Sequence, residues 1–153
     1  MSGDAARAKL LDLVASVVPT DEASKRFVAV SRAKGAGHRL EETAVTRAFD
    51  LTEGDVEDFG LTYSTTPMWR CSAEIRVRYE TRGGPADWER WARIGAKDCR
   101  LIVKRLQIAS DWVGALISVH VSGPATRADY NDGDGPAPQF CIWSIPLEIL
   151  FVE

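Results

Sequence analysis

Histidine and cysteine are scarce in these 153 residues: two histidines, His38 and His120, and three cysteines, Cys71, Cys99 and Cys141. No two of the five stand close together in sequence, so the paired ligand spacing of a zinc site is missing. The cysteines are odd in number and each falls in an apolar-patterned segment. Buried, reduced thiols are expected of them, not a disulfide framework. Long apolar runs are missing too. No stretch of about 20 apolar residues is available to cross a bilayer. The opening "MSGDAARAKLLDLVASVVPTDE" holds only a short apolar run, broken by Asp12, and so lacks the core of a secretory signal. A soluble protein that stays where it is made is the expectation. Excess positive charge is also absent, since 19 Lys and Arg stand against 22 Asp and Glu for a net charge of −3. Tight binding to the outside of nucleic acid draws on a basic surface and is not expected, although a local basic patch is compatible with this balance.

What is present is the composition of one globular domain. Hydrophobic residues make up 45% and charged residues 27%, and the length suits a single sizeable core spanning 1–153. Residues 4–18 predict a helix with Leu10, Val14, Val17 and Val18 on one face, ended by Pro19. "RFVAVS" (26–31) predicts a short strand, and "RAKGAGHRLEET" a polar loop. "AVTRAFDLT" alternates, with Val45, Arg47, Phe49 and Leu51 on one side, and predicts a strand. "EGDVEDFGLTYSTTP" shows no strong period and looks like a loop.

The clearest alternation follows. In residues 71–80, Ala73, Ile75, Val77 and Tyr79 point one way, while Glu74, Arg76, Arg78 and Glu80 point the other. An antiparallel sheet with one wet face produces this pattern. "RGGP" breaks the strand, and Asp87 is placed to cap a helix. Trp88, Trp91, Ala92, Gly95, Cys99, Ile102, Val103 and Leu106 then form one helical stripe, with Arg90, Arg93, Lys97, Arg100 and Lys104 away from it. This helix is expected to cover the sheet. "WVGALISVHVS" alternates again, with Val113, Ala115, Ile117, Val119 and Val121 inward. Residues 123–138 read as a long acidic, Gly/Pro-rich loop, and "QFCIWSIPLEILFVE" as a last strand. Pro146 has no N–H for the ladder and suggests an edge or a bulge there. The sum is a single α+β domain: an antiparallel or mixed sheet of about four to five strands packed against two main helices.

Reactive constellations are few. His38 and His120 read as surface or interface histidines, because no nucleophile motif accompanies either. "KGAGHR" lacks the spacing and the terminal Lys-Ser/Thr of a phosphate loop. Within "DYNDGDG", counted from Asp129, the sixth position is Asp134 where a calcium loop has glycine, and no glutamate falls at the twelfth. The carboxylate pairs Glu41–Glu42 and Asp55–Glu57 lie in polar stretches where full ionisation is expected. No catalytic, metal or cofactor-binding residue is therefore nominated. The near-neutral face formed by Glu74, Arg76, Arg78 and Glu80 is better suited to meeting another protein than to gripping phosphate, and reversal of its arginines is expected to leave the fold intact.

A strand "RAFDL", a loop, the strand "AEIRVRYET", the helix "WERWARIGAKDCRLIVKRL" and the closing "WSIPLEILFVE" together resemble the tail terminator (tail completion) proteins of long-tailed bacteriophages. The likeness is one of size, element order and texture, from about residue 47 onward. It implies a small non-enzymatic subunit that forms a hexameric ring, caps the head-proximal end of the tail tube, stops tube growth and offers a docking face to head–tail connector proteins. It places the protein in the virion, after assembly in the host cytoplasm, with DNA passing through the lumen unread. A ring requires two unlike lateral surfaces. The tentative interface set is Glu74, Arg76, Arg78 and Glu80, with the acidic loop residues Asp129, Asp132 and Asp134 facing either the lumen or a neighbouring ring. The region "LEETAVTRAFDLTEGDVEDFG" is longer and more acidic than in compact members of that family. Three other readings stand beside this one: another phage neck or connector protein, a small-molecule-binding or enzymatic α+β domain that uses His38 or His120, and a cytoplasmic domain with an unrelated binding role.

Overall fold

The computed structural model describes residues 2–30, 39–61, 65–81, 85–108, 116–131 and 139–152. Helix α1 spans Ser2–Ala15, strand β1 Val28–Ala29, a 3₁₀ turn Leu40–Glu42, β2 Ala48–Leu61 and β3 Pro67–Glu80. Helix α2 spans Pro85–Leu106, β4 Leu116–Val121, β5 Thr126–Tyr130 and β6 Phe140–Val152. The α+β class is as expected, with two helices and a mixed sheet of six strands, one or two more than anticipated. The sheet runs β1-β2-β3-β6-β4, and β5 also pairs with β6. Among the described residues only β1–β2 is parallel. The centre is β3 against β6, antiparallel from Met68 opposite Val152 to Glu80 opposite Phe140.

Period-two patterning builds this centre. Ala73, Ile75, Val77 and Tyr79 of β3 share a face with Ile145, Leu147, Ile149 and Phe151 of β6, and all eight are buried. α1 contributes Leu10, Leu13 and Val14 to the same core, and α2 contributes Trp91, Ile94, Cys99, Ile102 and Leu106. The helices thus cover one face of the sheet. Pro85 opens α2, where its missing N–H costs nothing. Asp87 lies inside the first turn, not at the cap, and its charge complements the helix dipole there. Trp91 is buried, whereas Trp88 is only half-buried. A smaller cluster of Val30, Leu40, Ala48, Phe140 and Ile142 lies on the sheet's other face, with Tyr130 packed against it.

Several elements depart from the pattern reading. α1 ends at Ala15, so Val17 is buried from the following segment and Val18 is exposed. β2 continues through residues 53–61, which read as a loop, and pairs with β3 down to Leu61 opposite Pro67. Register shifts at Glu53/Val56 and Asp58/Gly60 insert extra residues and erase the alternation. β5 lies inside the supposed acidic loop, with residues 126–129 exposed. In β4 a register shift between Leu116 and Ser118 interrupts the alternation, with Leu116 and Val119 buried; Val113 and Ala115 lie outside the described residues.

Pro146 is not at an edge. It lies in the middle of β6, opposite Glu74. On its other side β4 ends at Val121 opposite Leu147, and β5 starts at Thr126 opposite Ser144. The missing N–H therefore faces the gap between β4 and β5, while the Pro146 carbonyl accepts a bond from the Ser122 amide at 3.0 Å.

Close approach of α2 to β6 depends on Gly95. A β-carbon built there would lie 2.2 Å from Trp143 Nε1 and 2.4 Å from Cδ1. Alanine is the better helix former by about 1 kcal/mol, but the indole would have to shift. Gly95→Ala is expected to destabilise the fold by about 1–3 kcal/mol through overpacking, read as a lower midpoint in urea unfolding; an unchanged or raised midpoint would show that the indole moves freely.

Candidate functional site

The four charges of β3 do lie opposite the helix-covered face, but that face is not open. The 3₁₀ turn Leu40–Glu42 folds across it. Arg78 is 1% exposed. Its Nη1 donates to the carbonyls of Leu40 and Glu41 at 3.2 and 2.6 Å, and its Nε donates to Glu80 Oε1 at 2.6 Å. The guanidinium carbon lies 3.7 Å from the centre of the Phe140 ring. Arg76 is half-buried. It grips Asp50 through Nε and Nη2 at 3.0 and 2.6 Å, and reaches Glu41 Oε1 through Nη1 at 2.7 Å. The hydrogen bonds with Asp50 hold its guanidinium above the ordinary range despite burial. Burial alone would push the Glu41 carboxyl up, but the bond and charge of Arg76 outweigh it and hold the group below 4.5. Glu74 is half-buried, and its carbonyl accepts from Thr52 Oγ1 at 3.4 Å. Three of the four expected interface residues, Arg76, Arg78 and Glu80, are therefore engaged inside the chain. Reversing both arginines would break these contacts, which argues against the expectation that the fold is spared.

A second arginine lies on the opposite face and is more deeply enclosed. Arg47 precedes β2 in the left-handed region, at φ 66°, and is 0% exposed. Its Nε and Nη2 hold Asp98 of α2 at 2.7 and 3.2 Å. Nη1 donates to the carbonyls of Glu22 and Lys25 at 2.8 and 2.9 Å, and Nη2 to that of Asp21 at 2.7 Å. All five donors of the guanidinium are satisfied. The Tyr79 hydroxyl donates to Asp98 Oδ2 at 2.7 Å. Phe27 and Trp91 flank the guanidinium, with ring centres 5.6 and 5.7 Å away. The network joins the 21–25 segment, the start of β2, β3 and α2. Its sequence signal was a cation in an apolar row, Arg47 beside Phe49 and Leu51. Asp98 carried a matching signal, four residues before Ile102 and seven after Trp91 on the buried stripe, and went unread.

The remaining candidates are dispersed. Cys71, Cys99 and Cys141 are free and buried, as expected. Burial, followed by the Asp98 charge, pushes the Cys99 thiol up to about 12. Burial and the Asp129 charge do the same for Cys141. His120 is exposed on β4 opposite Glu148. Asp129 lies on β5, not in a loop, 3.4 Å from Arg127. His38, Asp132 and Asp134 lie outside the described residues. Among the described residues no three ligating side chains converge on a metal position, and no helix is long and apolar enough to cross a membrane.

Two unlike surfaces occupy opposite edges of the sheet. At the β4/β5 edge, a groove of about 450 Å³ runs between α2 and the segment joining β4 to β5. Val103, Val121, Ala125 and Trp143 line it, and Arg100 and Lys104 stand at its rim. Arg90 pairs with Glu22 and Lys97 with Asp21. Arg93, Arg100 and Lys104 are exposed and form no ion pair with another described residue. At the other edge, β1 covers β2 only at Ala48 and Phe49. Residues 53–61 are all exposed and carry Glu53, Asp55, Glu57 and Asp58. Val56, Phe59 and Leu61 stand among these carboxylates at 46%, 46% and 60% exposure. Arg7 and Arg70 offset two of the charges, pairing with Glu53 at 3.0 Å and Glu57 at 2.7 Å. No family model and no curated protein matches this chain.

Loss of one partner from a buried ion pair strands the other, at a cost of about 3–5 kcal/mol. Asp98→Ala should lower stability on this scale in chemical denaturation, and so should Arg78→Glu, which would bury a carboxylate against the Leu40 and Glu41 carbonyls and beside Glu80. Losses near those of surface mutants would mean that both sites admit water. The raised thiols and Tyr79, whose hydroxyl burial and Asp98 hold well above 10.0, set an alkaline limit. A group whose folded pKa is raised contributes stability that is intact below its unfolded pKa and is lost as pH climbs towards the folded one. Stability should therefore hold up to about pH 9 and fall between there and about 12, the window of Cys99 and Cys141. Urea midpoints across that range test this, and a flat profile would overturn it.

Proposed function

We propose that this chain is a structural subunit of a phage tail, the terminator that forms a ring on the head-proximal end of the tail tube. One observation carries the reading beyond resemblance: the two edges of the sheet are chemically unlike. One is acidic with protruding apolar side chains, and the other is an apolar groove with a basic rim. Unlike surfaces on opposite sides of a subunit favour heterologous contacts, which close into rings when the rotation per subunit permits. The buried arginine networks fit the same role, because a ring subunit must hold the angle between its two edges constant. In this reading the ring is hexameric, stops growth of the tube, presents a face to the neck proteins and lets DNA pass without sequence-specific contact. Assembly takes place in the host cytoplasm, and the finished ring stays in the virion.

Negative-stain electron microscopy of the purified protein, alone and mixed with its cognate tube protein, tests the proposal. Rings, or tubes of limited length with added density at one end, are expected. A chain that remains a monomer beside the tube protein and leaves tube length unchanged would overturn it. A neck protein of another kind would bind the connector and ignore the tube.

A further inference from the structure

The acidic tip of the β2–β3 hairpin and the basic-rimmed groove match each other in both charge and polarity. The tip bears four carboxylates between Glu53 and Asp58, interleaved with or next to the exposed side chains of Val56, Phe59 and Leu61. The groove pairs an apolar lining of Val103, Val121 and Trp143 with the cations Arg100 and Lys104. Its volume of about 450 Å³ falls in the range of pockets that bury whole ligand-sized groups, so Phe59 and an aliphatic neighbour fit together. The two surfaces lie at opposite edges of one sheet and cannot meet within a single chain. We propose that copies of this chain join head to tail, the acidic hairpin tip of one copy seating in the groove between α2 and the β4–β5 segment of the next. The proposal rests on the ring reading above and names the contact that builds the ring.

A second copy fits this groove better than a nucleic acid does. Nucleic acid would answer the cations and leave Val103, Val121 and Trp143 without apolar partners. The hairpin tip supplies anionic and apolar groups together. Arg70 lies over Phe59 at 5.1 Å and pairs with Glu57. In the contact, the groove would replace water around Phe59.

Paired charge reversals test the contact. The hairpin variant Asp55→Lys with Glu57→Lys and the groove variant Arg100→Glu with Lys104→Glu each set like charges against one another. Each alone should weaken self-association, on a tube or in free solution, by roughly tenfold or more in Kd. Mixed together, the two variants should associate again, because the lysine-bearing hairpin meets the glutamate-bearing groove and the unaltered hairpin meets the unaltered groove. Sedimentation velocity reads the association, and circular dichroism checks that each variant is folded. Phe59→Ser keeps every charge and should weaken association as well. Wild-type assembly should also weaken as salt rises, since exposed charges are screened. Rings that persist unchanged in both reversal variants would overturn this contact while sparing the ring reading. A mixture that stays dissociated would likewise overturn the contact. A wild-type chain that associates neither alone nor on a tube would overturn both.

Discussion

The fold turns on a cation that has no access to water. Burying the Arg47 guanidinium strips its hydration, and desolvation of such a group costs several kcal/mol before anything is returned. The return comes from complete saturation: one carboxylate gripped through two nitrogens and three backbone carbonyls from a single short segment. An ion pair of this kind adds little net stability compared with a well-packed apolar substitute, but it tolerates few alternative geometries. Asp98 is shared with Tyr79, so the register of α2 on β3 is fixed by the same carboxylate. The Arg47 amide donates to the Arg78 carbonyl at 2.7 Å, and the Arg47 carbonyl accepts from Val28 at 3.1 Å. One residue thus sets where β2 begins, where β1 joins it and how the helix lies across them.

A separate pair of arginines does comparable work on the far face. Arg76 and Arg78 clamp the 3₁₀ turn against the sheet, covering Phe140 and Ile142. The result is a sheet enclosed on both faces at the Phe140 end, while at the Leu61 end the β2 side chains are exposed although Cys71, Ile149 and Phe151 beside them stay buried. Rigidity and exposure are therefore separated along the strands. The β2 side chains are exposed on a strand whose start is held by ionic contacts on both faces.

Regular patterning made the interior legible in sequence and left the exterior obscure. The alternation of β3 and the stripe of α2 identified their buried faces, because each side chain there meets one environment only. Residues 53–61 carried no usable period for two physical reasons: two bulges shift the phase, and neither face is buried, so polarity has nothing to alternate against. β5 was hidden in the same way, its residues 126–129 being exposed. Arg78 misled in a more instructive manner. Alternation reports which side of the strand a residue occupies, and that reading was correct, but it does not report what a segment some forty residues earlier lays over that side. The missing donor of Pro146 suggests an edge or a bulge; the strand is internal, and the ladder beside it is interrupted between β4 and β5 at the point where that donor would have been needed.

The acidic run along β2 also bears on which partners the edge rejects. Beyond Phe49 the outer edge of β2 pairs with no other described strand, and such an edge with Val56, Phe59 and Leu61 nearby invites pairing with an identical edge, the usual route to unwanted sheet extension. Two such edges brought together would set four carboxylates against four, and like charges placed directly opposite each other are destabilising. The bulges twist the same edge out of the regular ladder geometry. Both devices discourage the symmetric, isologous pairing of β2 with β2 and leave the protruding apolar groups available to a cationic surface. In the proposed assembly Asp55, which forms no ion pair with another described residue, would have two effects at once: it would repel a copy that approaches edge to edge and attract one that presents Arg100 and Lys104. Under this constraint the heterologous arrangement is favoured because the symmetric one is penalised.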